Sequence, residues 1–125
     1  MTVFSFFDVA KNDNTKQKTE NFYHGFVLGL LVELRKEYEV ISNRESGLGR
    51  YDVMLVPRDL KKDAFVFEFK VFRPNKERTL EDTVKAALQQ IEDKKYVTTL
   101  LEKGIPKEKI YCYGFAFEGK EVLIG

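Results

Sequence analysis

The chain has 125 residues, a length that predicts a single domain over residues 1–125. A composition of 43% hydrophobic and 33% charged residues excludes a disordered protein, and no apolar run reaches the roughly 18 residues of a membrane span. The formal net charge of +1 excludes an overall basic field, so binding of a polyanion needs a local patch or a metal ion. The one cysteine, Cys112, excludes an internal disulfide framework and suits a reducing, cytoplasmic compartment.

The hydrophobic pattern predicts an α/β protein whose core order is helix, three strands, helix, strand. The expected elements are a short strand or docking segment over Thr2–Phe7, a helix from Thr15 or Thr19 to Lys36, strands over Tyr38–Ser42, Arg50–Pro57 and Ala64–Phe72, a helix over Thr79–Lys103, and strands over Ile110–Phe117 and Val122–Ile124. A turn over Asn43–Gly49 joins the first two of the core strands in a hairpin. The long connection before Ile110 predicts a helical crossover to a parallel neighbouring strand.

Local signals refine the two long helices. Thr79 and Asp82 have the spacing of a capping box at the start of the second helix, and Gly104 is expected to end it. Gly25 and Gly29 lie in the middle of the first helix, where each costs about 1 kcal/mol relative to alanine. We expect close packing of the first helix against a strand at these two glycines.

The most apolar strand, Ala64–Phe72, carries two charges, Glu68 and Lys70. Because residues two apart in a strand share one face, these charges lie side by side, and phenylalanines fill the other face. Burying a charge is costly unless the charge is paired or coordinates a metal. Asp52 on the preceding strand can reach the same face. Two carboxylates and a lysine suit a hard cation such as Mg²⁺ or Mn²⁺ with a phosphate.

Asp52 followed by Glu68-Phe69-Lys70 resembles the core motif of the PD-(D/E)XK nuclease superfamily, and the predicted order of elements is the order of that fold. Other segments resemble the bacterial and archaeal branch often found C-terminal to an AAA-type ATPase-like domain: Glu20–Phe26, Ser42–Asp52, Ala87–Ile91 and Tyr113–Phe117. The resemblance covers nearly the whole chain. Tyr51 stands where the superfamily's name-giving proline is found, at a position that commonly varies.

The resemblance implies a restriction-endonuclease-like αβββαβ core with a mixed central sheet flanked by two helices. It implies that Asp52 and Glu68 bind Mg²⁺ or Mn²⁺, that Glu20 supports the metal, that Lys70 assists the attacking water, and that Gln90 orients the site. The implied activity is a metal-dependent nuclease, with DNA favoured over RNA as the substrate. An AAA-ATPase-like domain or protein and a second copy of the chain are the implied protein partners.

Further side chains are weighed for a role in the site. His24 is expected either to contact the substrate phosphate or a carboxylate, or to fill the interface between helix and sheet. Arg50 is expected to share the face of the site and to hold a phosphate. Tyr96 is expected to pack rather than to take part in catalysis. Lys94 is assigned to a solvated, lysine-rich helix surface.

Other functions fit the same residues. One is a catalytically silent nuclease-fold module that binds nucleic acid or protein and regulates an ATPase. A second is a small-molecule enzyme that uses the two carboxylates and the lysine. A third is a structural ion network of Asp52, Glu68, Lys70 and Arg50 with no chemistry. Metal-dependent turnover separates the nuclease from the silent module.

Overall fold

The computed structural model describes residues 2–5, 15–44 and 50–125, with side chains for residues 25–43 and 51–125. Its elements are β1 (Thr2–Ser5), α1 (Thr15–Leu34), β2 (Tyr38–Arg44), β3 (Arg50–Pro57), β4 (Ala64–Val71), α2 (Leu80–Asp93), α3 (Tyr96–Glu102), β5 (Ile110–Glu118) and β6 (Glu121–Ile124), with a 3₁₀ turn at Lys107–Lys109. The predicted turn over Asn43–Gly49 falls outside the described residues at positions 45–49, as does the end of the predicted segment Thr2–Phe7.

The described strands form one mixed sheet of six strands in the order β1-β6-β5-β4-β3-β2. Strand β4 pairs with β5 in parallel, and every other neighbouring pair is antiparallel. Parallel neighbours need a long crossover, which α2 and α3 supply here. The predicted mixed sheet and αβββαβ core are therefore confirmed.

The two faces of β4 are covered by different helices. Phe67 and Phe69 belong to a buried cluster with Val27 of α1. Val66 points the other way and belongs to a cluster with Ile91 of α2. Since successive side chains of a strand alternate between faces, one helix covers each side of the sheet, as the sequence predicted.

Helix α2 begins with the predicted capping box. The Thr79 hydroxyl accepts a hydrogen bond from the Asp82 backbone N–H, and the Asp82 carboxylate accepts one from the Thr79 backbone N–H in return. Hydrogen bonds from the backbone N–H groups of Arg78 and Thr79 lower the pKa of Asp82. The cap fixes where α2 starts, and α2 lies over the face of the sheet that carries the site.

The single helix predicted over Thr79–Lys103 is wrong, because α2 ends at Asp93 and α3 begins at Tyr96. Lys95 lies between them with φ of 57°, in the left-handed region that a right-handed helix cannot contain. Lysine is a good helix former, so neither Lys94 nor Lys95 signals a break. Gly104, with φ of 94°, follows the end of α3 as predicted.

The expected close packing at Gly25 and Gly29 is also wrong. Both glycines are exposed, and a Cβ atom built at either meets no described atom within 4 Å. The close approach occurs at Gly114 of β5, where a Cβ would lie 2.9 Å from the backbone oxygen of Val84. Gly114 pairs with Glu68 in the β4–β5 register, so it brings α2 down on the sheet directly beside that carboxylate.

Candidate functional site

The candidate site lies where β3 and β4 pair under α2. Asp52 is directly opposite Glu68, and Arg50 is opposite Lys70. Opposite residues of antiparallel strands share a face, and so do residues two apart in one strand. The register therefore places the predicted aspartate, glutamate and lysine on one face, as expected from the sequence.

Both carboxylates of this pair are removed from solvent: Asp52 is 2% exposed and Glu68 is 0% exposed. The Asp52 carboxylate forms an ion pair with Lys94, whose side chain is 20% exposed, and accepts a hydrogen bond of 2.6 Å from the Tyr96 hydroxyl. Both contacts are made to Oδ2. Asp52 Oδ1 is buried and accepts no hydrogen bond from any residue in the described ranges. The protein thus holds one oxygen of Asp52, and within the described residues the other keeps its capacity to accept a hydrogen bond or a cation.

The contact of Lys94 overturns the prediction that it lies on a solvated face. Tyr96 packs as predicted, against the cluster that contains Ile91, and its hydroxyl also donates a hydrogen bond to Asp52. A signal was present for Lys94, since Ala87, Ile91 and Lys94 recur at the spacing of one helix face. Ala87 and Ile91 are buried, so that face points at the sheet.

Lys70 is held by a partner that the sequence did not indicate. Its ammonium donates a hydrogen bond of 2.9 Å to Glu77 Oε2, and both side chains are largely buried. Glu77 Oε1 accepts two more hydrogen bonds, from the Arg73 backbone N–H at 2.8 Å and from the Thr83 hydroxyl at 2.9 Å. Burial opposes ionisation of Glu77, but these bonds, led by the one from Lys70, outweigh it and hold the pKa of Glu77 below its usual value. Nothing in the local pattern around Glu77 distinguishes it from other charged turn residues.

A family model described as the PD-(D/E)XK nuclease superfamily matches residues 18–125. The chain belongs to the PD-(D/E)XK nuclease superfamily. Its fold is the restriction-endonuclease-like core, and members of the superfamily are generally nucleases that act on nucleic acid with divalent metals. A search of curated proteins and a search of solved structures each found no match. No described helix is long and apolar enough to cross a membrane.

The structure gives only part of the surroundings of Gln90 and Glu20, the two residues that the resemblance assigns to helices. Gln90 is partly buried on α2, and its backbone carbonyl accepts the backbone N–H of Lys94 at 3.0 Å. The described partners of Asp52 and Lys70 are other residues. Glu20 lies in α1, on the layer opposite to α2, and its side chain is outside the described part of the chain. Their roles in a PD-(D/E)XK site remain predictions.

The two residues considered for substrate binding stay predictions as well. The backbone of His24 lies in α1 and that of Arg50 at the start of β3, and the side chains of both are outside the described part. Pairing with Lys70 places Arg50 at the same end of the sheet as the superfamily's lysine. Helix α1 ends at Leu34, beside the opposite end of the strands, because Tyr38 pairs with Pro57. The half of α1 that carries His24 therefore extends toward the end of the sheet where the site lies.

The donor set fits a divalent metal of the kind the superfamily uses. Mg²⁺ and Mn²⁺ prefer oxygen ligands, and Mg²⁺ is usually bound through one or two carboxylates while it keeps several waters. Asp52 and Glu68 supply two buried carboxylates at paired positions, and Asp52 Oδ1 still has its capacity to accept. Among the described side chains, no group of three or more His, Cys, Asp or Glu is placed so that it could hold a metal ion. A third protein ligand would have to come from a residue such as Glu20.

Proposed function

We propose that the protein is a metal-dependent nuclease that hydrolyses phosphodiester bonds in nucleic acid, with DNA favoured over RNA. In this proposal Asp52 and Glu68 hold Mg²⁺ or Mn²⁺, and Glu20 supports the ion. The observation that carries it is the pair of buried, directly opposite carboxylates in which Asp52 Oδ1 accepts no hydrogen bond within the described residues. A carboxylate oxygen is costly to bury in that state, and a bound cation would offset the cost.

The bound metal would supply an acidified water and stabilise negative charge on the phosphate. The chain's own residues prepare the place for that chemistry. Tyr96 fixes the orientation of Asp52 through Oδ2, so the carboxylate cannot rotate away from the site. Helix α2, pressed against Gly114, closes the sheet over Glu68 and excludes bulk water from it. Preorganised charges in a dry site act more strongly than the same charges in water.

Lys70 is proposed to act as a donor that aligns the attacking water. An ammonium has three N–H donors, and Glu77 takes one of them. The other two can be directed to the water and to a phosphate oxygen. Glu77 also limits the rotamers of Lys70, because its own carboxylate is fixed by Arg73 and Thr83. Gln90 is proposed to fix the water or Lys70 from the helix above.

A second candidate is the catalytically silent module that partners an ATPase. The ion pair between Lys94 and Asp52 supports it, because a buried carboxylate can be neutralised within the protein without a metal. In this interpretation the fold presents a surface to nucleic acid or to an AAA-ATPase-like partner and catalyses no reaction. For either candidate function we also propose an AAA-ATPase-like partner, a homodimer and a cytoplasmic location. Sedimentation of the purified chain tests the dimer.

Metal binding and cleavage measured on the same samples decide between the two candidates. Calorimetry with Mg²⁺ and with Mn²⁺ compares the native protein with the double variant Asp52→Asn, Glu68→Gln, and plasmid DNA and RNA are incubated with each. The control is Asp63→Asn, Glu92→Gln, which removes two carboxylates from exposed positions. We expect binding and cleavage in the native protein and the control, and neither in the site variant. Metal binding without cleavage of either nucleic acid would favour the silent module.

A further inference from the structure

The break between α2 and α3 is built around the carboxylate of Asp52. Lys95, with φ of 57°, occupies a conformation that non-glycine residues adopt at a cost in free energy. The residue before it, Lys94, forms the ion pair with Asp52, and the residue after it, Tyr96, donates the hydrogen bond to the same oxygen. In a continuous helix Lys94 and Tyr96, which are two residues apart, would point about 200° apart around the helix axis. The left-handed residue lets both reach one carboxylate.

The two side chains that contact Asp52 differ in charge and in flexibility. Tyr96 brings a neutral donor on a rigid ring that packs in the cluster containing Ile91. Lys94 brings a full positive charge on a flexible four-carbon stem, and its side chain is 20% exposed. The tyrosine is thus a fixed support, whereas the lysine has a flexible and partly exposed side chain that can turn toward solvent.

A divalent ion at Asp52 would meet the ammonium of Lys94 already in place. Two cations on one carboxylate repel each other, and this repulsion is strong where solvent is excluded. We propose that Lys94 is a tethered cation that neutralises Asp52 in the metal-free protein and leaves it when a divalent ion binds. Tyr96 stays on Oδ2 and keeps the carboxylate aligned. This inference rests on the proposed function, because it takes Asp52 as a metal ligand.

Metal affinity measured without any substrate tests the displacement. Calorimetry with Mg²⁺ alone and with Mn²⁺ alone compares the native protein with Lys94→Gln. The matched control is Lys95→Gln, which removes the same charge from the exposed neighbour. We expect Lys94→Gln to bind the ion about tenfold more tightly, equal to about 1.4 kcal/mol. The affinity of the control should stay within about twofold of the native value, because an exposed charge is screened by salt.

A thermal measurement keeps the test decisive if the variant is less stable. Removing Lys94 leaves Asp52 buried with one partner fewer, so the melting temperature in EDTA is expected to fall. A ligand that binds the folded state raises the melting temperature according to its affinity. The rise between EDTA and saturating Mg²⁺ should therefore be larger for Lys94→Gln than for the native protein. Lys94→Met, of similar length and also uncharged, should show the same larger rise.

The outcomes distinguish a failure of this inference alone from a failure of the metal site on which it rests. Equal or weaker metal binding by Lys94→Gln, in a protein whose binding is lost in Asp52→Asn, Glu68→Gln, would overturn the displacement and leave the metal site standing. Binding by Lys94→Gln where the native protein binds none would support the displacement in its strongest form. Absence of binding in both proteins would overturn the displacement and the metal site together.

Discussion

Replacing Glu77 by glutamine removes the charge that Lys70 contacts and leaves the shape of the side chain nearly unchanged. The amide oxygen can keep the two bonds from Arg73 and Thr83, but the amide nitrogen would face the Lys70 ammonium with hydrogens instead of a lone pair. One charge-assisted hydrogen bond, about 1.5–3 kcal/mol, is lost, and an ammonium that is only 12% exposed loses its partner. We expect the free energy of unfolding to fall by about 2–4 kcal/mol, which overlaps the lower part of the range of about 3–5 kcal/mol for broken buried pairs.

The pairing itself is isolated by a double-mutant cycle in urea at pH 7. Lys70→Met alone should also destabilise the protein, whereas Glu77→Gln combined with Lys70→Met should be more stable than the sum of the two losses predicts. Removing both partners of a buried pair is often nearly neutral, so we expect a coupling energy of about 1.5 kcal/mol or more. Thr83→Val, which removes the hydrogen bond from the Thr83 hydroxyl to the ionised Glu77 carboxylate, should cost about 1.5–3 kcal/mol. A coupling energy within error of zero would refute the view that Glu77 holds Lys70.

Three further predictions follow from the same geometry. The pKa of Glu77 is lower in the folded state than its usual value of 4.5. Its contribution to the free energy of unfolding is therefore fully present above pH 4.5 and is lost as the pH falls through the folded pKa. The difference in stability between the native protein and Glu77→Gln, measured in urea, should shrink in that acid range. Lys70→Ala should lower plasmid cleavage by about 10²-fold or more while circular dichroism stays unchanged, and full cleavage by this variant would rule out its role. Gly114→Ala should lower the free energy of unfolding by about 1–3 kcal/mol, because the added Cβ would lie 2.9 Å from the Val84 backbone oxygen. The control Gly29→Ala, at an open helix position, should be neutral or stabilising. Equal effects of the two substitutions in urea would contradict the close approach of α2.

The strands of the site were predictable because their signals are local. The alternation in β4 assigns Glu68 and Lys70 to one face whatever the rest of the chain does, and Asp52 lies on the neighbouring strand of the same antiparallel run. The capping box of α2 is local in the same way, since Thr79 and Asp82 are three residues apart. Patterns of this kind do not depend on tertiary contacts, so the sequence alone indicates them.

The partners of the site residues depend on tertiary structure, and the sequence missed them. Lys94 and Asp52 are 42 residues apart, and their contact requires both the crossover and the break at Lys95. Two consecutive lysines carry no helix-ending signal, so propensity favours a continuous helix there. Glu77 is seven residues from Lys70, but its contact depends on how the turn after β4 folds back. The mistaken expectation for Gly25 and Gly29 has the same origin, because a glycine does not reveal which side of its helix is covered.

The parallel pairing of β4 with β5 has a consequence for the order of folding. Strands β3 and β4 are neighbours in sequence and antiparallel, so closing their loop costs little conformational entropy, whereas Lys94 arrives only with the crossover. We therefore expect Asp52 and Glu68 to be brought together before the lysine neutralises Asp52, so that the ion pair forms after the rate-limiting barrier. On this hypothesis Lys94→Gln should leave the refolding rate unchanged and speed unfolding, in stopped-flow measurements across urea concentrations. Slower refolding of this variant would place the ion pair in the transition state instead.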